Sequence, residues 1–538
     1  MISHLGSMLA PVVGAVFGAR RRGEDAMGLA VIGDGGSSTG DFHESLNIAS
    51  VQRVPVVFLV ENNHYAYSTP TRYQYHCNKL SDRAAGYGIE GTTIDGTDVW
   101  EVYDTITNVL ASMSADLMPR LIECMTLRLE GHAVYDKAEY VSAEERAEWL
   151  KREPLMRARK AFLEHGGSEE IIAAIERDVT ELVEETAREA LKFARPDPAI
   201  HIGPVFAPPT DRSVLPRVQI EQSRNLNAVT AALDYILQNF PNAFILGQDV
   251  GVYGSAFKSC KGLYEKYGAG RVMDMPLAES AATGFALGAS QTGMLPIMEF
   301  QFADFSTEAV TQLGLNCGTW YYRAGVPARL LFRLPCGGGI TLGAFHSGEF
   351  EGLWSRFPGL KLLYPVTPQE TFEAIVAGFL DPNPCLVFEH KLLYGSKPGS
   401  IDFEGDAAAV WRPRNYLKGD DITIVAFGAM VELACTVVKT HNYSADVWNP
   451  FILNPLQLDA IIESVRRTRR LLVVQESGET AGLGDRIVSE ICRRAFDALA
   501  CPPKLISAPD APVPFAKELE QVHIPDGRII NQAIAMMI

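Results

Sequence analysis

The sequence predicts three successive doubly wound α/β units, and three observations carry that reading. Apolar runs of strand length alternate with helical periodicity across residues 29–125, and again across 220–395 and 405–538. Between the first and second stretches, residues 194–218 hold six prolines and little periodicity, as a linker does. The first strand–helix–strand passage places polar residues straight after its strands, where parallel sheets bind ligands. The predicted divisions are 1–195, a linker at 196–219, then 220–395 and 405–538.

The chain opens on Gly6–Ala15, a small-residue stretch predicted as a buried helix. Leu29-Ala30-Val31-Ile32 is a predicted strand, and Gly33-Asp34-Gly35-Gly36-Ser37-Ser38-Thr39-Gly40 turns it into a helix over Asp41 to Val51. A second strand, Val54 to Val60, runs into Glu61-Asn62-Asn63-His64-Tyr65. This is a right-handed βαβ crossover. Thr92 to Asp98 reads as a turn into a helix over Val99 to Ala115, followed by a strand from Arg120 to Leu127. The polar loop at 128–140 then carries His132 over the same ligand edge as Asp34. Residues 142–193 are charged and helical, which predicts a solvated face.

In the second unit, Phe244 to Val250 is a strand and turn. Arg271 to Ser280, which includes Leu277 and Glu279, leads into a small-residue helix over Ala281 to Thr292. Ile297 to Phe302 is a further strand, and Gly337-Gly338-Gly339 precedes a loop with His346. The third unit has strands at Asp421 to Phe427 and Leu471 to Gln475. It shows no catalytic constellation, so packing and assembly are its expected roles.

Composition narrows the function classes. With 538 residues and 47% hydrophobic content the chain can fill several cores. A net charge of −17 argues against nucleic acid as the main partner. The nine cysteines form no CxxC pair, so they read as reduced thiols rather than a zinc site or disulfide framework. The early apolar run Met8 to Ala19 is too short to span a membrane. Its arginines, Arg20 to Arg22, follow it instead of preceding it, unlike a signal peptide. The expected location is the cytoplasm, with no membrane partner.

Asp34 and Asn63 lie 29 positions apart, each at the carboxyl end of a predicted parallel strand. A carboxylate and an amide oxygen suit a hard ion such as Mg²⁺, which keeps phosphate oxygens among its ligands. The glycines after Asp34 let backbone N–H groups approach a diphosphate at a helix start.

Gly-Asp-Gly followed by Asn-Asn at this spacing resembles the thiamin diphosphate motif. From about residue 5 onward the chain resembles the E1 component of 2-oxoacid dehydrogenase complexes, an α-type part fused ahead of a β-type part. The resemblance implies a diphosphate domain, a pyrimidine domain and a transketolase C-terminal domain. Asn63 to Thr71 and Gln301-Phe302-Ala303-Asp304-Phe305 look more like branched-chain enzymes than the pyruvate enzymes of animals.

Residue roles follow from the resemblance position by position. Asp34, Asn63 and the Tyr65 carbonyl match Mg²⁺ ligands, and the backbone at Gly35 and Gly36 matches diphosphate donors. Leu277, Gln301 and Phe305 match residues holding the aminopyrimidine, while Leu5 and Tyr67 border the cofactor. Glu279 matches the activating glutamate, and His132 the loop histidine near diphosphate and substrate. His346 matches the histidine of acyl transfer to the lipoyl group. The implied reaction is oxidative decarboxylation of a 2-oxoacid, of 3-methyl-2-oxobutanoate type, with pyruvate as the alternative. The implied partners are the lipoyl domain of the E2 acyltransferase and a second copy of the chain, since the family's cofactors lie between α-type and β-type domains.

Departures from the family pattern are also visible. Its α chains usually carry about a hundred more residues before the position of Leu5, and these supply further diphosphate contacts. This suggests a truncated chain. The serine that animal kinases phosphorylate is Ala133 here, and a second β-type histidine is Arg356. Two other classes remain: a transketolase-like transferase, and an inactive truncated scaffold that only pairs with other chains.

Overall fold

The computed structural model describes residues 3–200, 203–209 and 215–538. Residues 201, 202 and 210–214 of the expected linker, and Met1 and Ile2, lie outside the described residues. The chain divides into two compact units, residues 3–16 with 23–204 and residues 17–22 with 205–538.

The first unit is built on a parallel sheet of β1 (Gly28–Gly33), β2 (Val56–Asn62), β3 (Glu90–Asp95) and β4 (Arg120–Met125), in the order β1-β2-β4-β3. Two helices follow strands in sequence, α1 (Gly40–Val51) after β1 and α2 (Val99–Asp116) after β3. Helix α1 buries Phe42, Leu46, Ile48 and Ala49, as its apolar spacing requires. One expectation is corrected here. Thr92 to Asp95 is not turn but the end of β3, paired in register with β4. Its β-branched Thr92, Thr93 and Ile94 suit an edge strand. Only Gly96 to Asp98 turns, with the Asp95 carboxylate accepting the Thr97 N–H and Asp98 capping α2.

The region 143–192 is helical as expected, in three helices: Ala143–Leu150, Pro154–Glu164 and Glu169–Lys192. Arg157 from the second of them ties back to Asp95 and Asp98 of the sheet edge at 2.8 and 2.7 Å.

The second unit holds two larger sheets. Its first uses β5 (Ala243–Gly247), β6 (Val272–Asp274), β7 (Leu295–Glu299), β8 (Leu330–Cys336), β9 (Lys361–Leu363) and β10 (Pro384–His390), all parallel. The second uses β11 (Arg414–Leu417), β12 (Ile422–Ala426), β13 (Ala445–Asn449), β15 (Leu471–Gly478) and β16 (Lys504–Ala508), in the order β11-β13-β12-β15-β16. A further strand, β14 (Ile452–Asn454), crosses to the first sheet and pairs antiparallel with β9. Its order is therefore β14-β9-β10-β8-β7-β5-β6. The middle of the expected linker is fastened to this unit: Asn383 exchanges hydrogen bonds with the N–H and carbonyl of Ala207 at 2.7 and 3.1 Å. No helix among the described residues is long and apolar enough to cross a membrane.

The core of the first of these sheets contains a charge. Arg333 on β8 is fully buried between Glu299 of β7 and Glu389 of β10. Ser255 and Ser259 donate to Glu299, and Tyr394 donates to Glu389. A buried ion set of this kind contributes little net stability when complete, but removing one member strands the others. Arg333→Met is expected to destabilise the unit by about 3–5 kcal/mol. Urea unfolding followed by tryptophan fluorescence measures this loss.

Candidate active site

In the first unit the candidate residues gather at the carboxyl edge of the sheet. Gly33 of β1 pairs with Glu61 of β2, so Asp34 and Asn63 sit at adjoining strand ends. Asp34 donates its backbone N–H to the Glu61 carbonyl at 3.2 Å. Its side chain is buried, 2% exposed, and Oδ2 has no hydrogen-bond partner. Burial raises the Asp34 carboxyl above its ordinary range, opposed by the Gly35 amide and by the charges of His64 and Arg128.

The two glycines after Asp34 are fixed by packing. A Cβ on Gly35 would lie 2.4 Å from the Ala66 Cβ, and one on Gly36 would lie 2.5 Å from Ile32 Cγ1. Leu5, otherwise exposed, lies against the same glycine: the Gly36 Cβ position is 3.8 Å from Leu5 Cβ.

The two asparagines do different work. Asn62 is buried, donating to Glu123 at 2.7 Å and to the Tyr75 hydroxyl at 2.8 Å while accepting the His64 N–H at 3.2 Å. Asn63 is half-buried at the edge, and its Oδ1 accepts the Tyr65 N–H at 3.1 Å. Tyr65–Ala66 then pairs antiparallel with Thr69–Pro70. His64 (φ 69°) and Tyr67 (φ 58°) are in the left-handed region, uncommon for such residues and concentrated at functional sites.

The loop after β4 closes over this hairpin. Arg128 donates to the Tyr67 carbonyl at 2.7 Å and to the Tyr140 hydroxyl at 2.6 Å. Asp136 accepts from Tyr140 at 2.8 Å and from the His132 N–H at 2.7 Å. The exposed His132 ring stands edge-on to Tyr67, 4.7 Å between centroids. The structure thus brings together Leu5, Asp34, Gly35, Gly36, Asn63, Tyr65, Tyr67 and His132 on one unit. Sequence reading gave no role to His64, Arg128 or Tyr140.

In the second unit the carboxyl ends of β5, β7, β8 and β10 share one edge. Glu279 is the first residue of helix α3 (Glu279–Gln291), which packs against the turn Ala303–Ala309. It is half-buried; burial raises its carboxyl, its own backbone N–H opposes, and Glu308 raises it further. Gln301 donates to Asp249 at 2.6 Å. Phe302 and Phe305 both stand edge-on to His346, at 4.6 and 5.4 Å. Asp304 is buried, and its carboxylate accepts the Gly348 N–H at 3.2 and 3.3 Å. Leu277 is exposed on the segment before Glu279. Sequence reading gave no role to Asp249, Asp304 or Lys391, although each closely follows a strand end.

Comparison with known families gives three matches in order. Residues 1–199 match the dehydrogenase E1 component, 222–397 the pyrimidine-binding domain of transketolase, and 415–530 its C-terminal domain. The pyruvate dehydrogenase E1 subunit β of Bacillus subtilis is 34% identical over 310 residues, 57% of this chain and 95% of that protein. The chain belongs to the E1 family of 2-oxoacid dehydrogenase components. The E1 β subunit of Porphyra purpurea is 36% identical over 307 residues, covering 55% of this chain and 91% of that protein. The mitochondrial β subunit of Saccharomyces cerevisiae is 32% identical over 319 residues, covering 57% and 86%.

E1 and transketolase-type pyrimidine domains imply thiamin diphosphate as cofactor. The residues of this E1 chain fit the group. An almost fully buried carboxylate oxygen without a donor, on Asp34, is costly unless a cation completes it. An acid at the start of α3 with a raised pKa can retain a proton.

Proposed function

We propose that this E1 chain catalyses the oxidative decarboxylation of a 2-oxoacid and passes the acyl group to the lipoyl group of an E2 acyltransferase. The observation that carries this reading is the donorless Oδ2 of Asp34 at a strand end adjoining that of Asn63. When bound, thiamin diphosphate supplies the electron sink that lets a 2-oxoacid lose CO₂. In this reading Asp34, Asn63 and the Tyr65 carbonyl hold Mg²⁺, and the Gly35 and Gly36 amides bind diphosphate oxygens. Leu5 and Tyr67 border the cofactor, and Leu277, Gln301 and Phe305 hold the aminopyrimidine. Glu279 hydrogen-bonds the ring nitrogen N1′ and keeps a proton there. His132 binds the substrate end of the diphosphate region, and His346 delivers the proton that the lipoyl sulfur needs.

Calorimetric titration tests the cofactor part. Thiamin diphosphate is expected to bind in the presence of Mg²⁺ and to lose at least about tenfold in affinity with EDTA. His346→Gln tests the acyl-transfer part. Reduction of an artificial electron acceptor should persist, while acylation of a lipoylated domain falls by about 10²–10⁴. Equal loss in both assays would contradict the role assigned to His346.

Two substrate readings stand. The segments Asn63 to Thr71 and Gln301 to Phe305 favour a branched-chain acid, whereas the relatives reported above are named as pyruvate enzymes. Turnover ranking among 3-methyl-2-oxobutanoate, 4-methyl-2-oxopentanoate and pyruvate decides between them. Assembly as a homodimer belongs to the same proposal; a monomer fully active at nanomolar concentration would contradict it.

A further inference from the structure

At the sheet edge of the second unit a carboxylate is held in place by its own loop. Asp249 stands two residues past the end of β5, in the left-handed region at φ 56°. Its carbonyl accepts the Ser255 N–H at 2.6 Å. Ser255, also left-handed at φ 77°, is buried, and its hydroxyl donates to Glu299 at the end of β7. Between them, Gly251 donates its N–H to Asp274 at the end of β6, at 2.7 Å. The loop is thus fastened to two strands, which is what lets a left-handed aspartate persist there.

The carboxylate serves one side chain. Among the described residues only the Gln301 side chain is hydrogen-bonded to it, Nε2 donating to Asp249 Oδ2 at 2.6 Å. A carboxylate only accepts, so the amide nitrogen of Gln301 must face Asp249 and its oxygen must face elsewhere. The charge on Asp249 makes this bond stronger than one between neutral groups. Gln301 Oε1 accepts from no group among the described residues. Gln301 lies two residues past β7 and precedes the turn Ala303–Ala309, on which the helix opened by Glu279 packs. The edge therefore presents a fixed acceptor at Gln301 instead of an amide free to turn.

We propose that Asp249 is a positioning residue that fixes the flip of the Gln301 amide, so that Oε1 accepts from the 4′-amino group of the aminopyrimidine and selects it over a 4′-oxo ring. This rests on the role assigned to Gln301 above. An amino group donates, whereas an oxo group in the same place is a second acceptor and repels Oε1. An amide held by Asp249 cannot turn its N–H toward the oxo group without breaking a charge-assisted bond. An asparagine at position 249 can accept or donate, so it enforces neither flip.

The test is calorimetric titration of the full chain, with Mg²⁺, against thiamin diphosphate and its 4′-oxo analogue, oxythiamin diphosphate. The parent is expected to prefer the amino ring by at least about tenfold. Asp249→Asn should lose most of that preference, and Gln301→Ala should lose as much. The double variant should lose no more than Gln301→Ala alone, because the two residues act as one unit. A merely structural role for Asp249 would weaken both ligands alike and leave their ratio unmoved. If Asp249→Asn fails to fold, Asp249→Gly, which also accepts φ 56°, carries the same comparison. Parent-like preference in the Asp249 variant, beside a lost preference in Gln301→Ala, overturns the proposal. So does a parent without preference, or a double variant in which the two losses multiply. Parent-like preference in Gln301→Ala would instead remove the role of Gln301, and the proposal with it.

Discussion

Glu279→Gln is expected to reduce 2-oxoacid turnover by at least about a thousandfold while leaving thiamin diphosphate binding within a few fold. The argument starts from its position. Glu279 opens α3 at the carboxyl edge of the sheet, half-buried, with its carboxyl pushed up by burial and by Glu308. A glutamine keeps the shape and one hydrogen bond but cannot exchange a proton. Steady-state turnover with an artificial acceptor, paired with calorimetric cofactor binding, separates the two effects. Turnover within tenfold of wild type would refute the assigned role; a matching collapse in binding would make Glu279 a binding residue only.

Asp34→Asn is expected to have the second largest effect, a loss of at least about a hundredfold in Mg²⁺-dependent cofactor affinity. The same substitution should stabilise the cofactor-free chain. The sign follows from linkage. Asp34 in the folded chain has a raised pKa, so its ionisation opposes folding above the folded value and has no effect below the unfolded one. Asp34→Asn removes that opposition. The variant should therefore melt higher than the parent near pH 7, with the gain fading as pH falls through the Asp34 titration. Cofactor-free melting curves across pH measure this. A variant that melts lower at pH 7 would contradict the reading of Asp34 as a buried charge kept for a ligand.

The sheet edge of the first unit was legible because its signals are local. Strand, turn and polar residue follow one another at Asp34 and at Asn63, and parallel pairing brings the two ends together. The contacts that complete the edge are not local. Arg128 reaches Tyr67 across 61 positions, and Asn62 reaches Glu123 across the same separation. No short-range pattern announces either. Asn62 and Asn63 look alike in sequence, yet one is buried structure and the other stands at the edge. Thr92 to Asp95 reads as a turn because Asp95-Gly96 punctuates it; pairing with β4 overrides that punctuation. Lys391 is the clearest case. It directly follows β10 and is 3% exposed, with no hydrogen-bond partner on its Nζ, and nothing in the neighbouring sequence marks a buried ammonium.

The measurement closest to the central claim is 2-oxoacid-dependent reduction of an artificial electron acceptor by the purified chain. The assay contains thiamin diphosphate, Mg²⁺ and a panel of 3-methyl-2-oxobutanoate, 4-methyl-2-oxopentanoate, pyruvate and 2-oxoglutarate. Turnover with a branched-chain acid or pyruvate, abolished by omitting the cofactor and by Glu279→Gln, is the predicted result. No turnover with any acid, under conditions where calorimetry shows the cofactor bound, would contradict it.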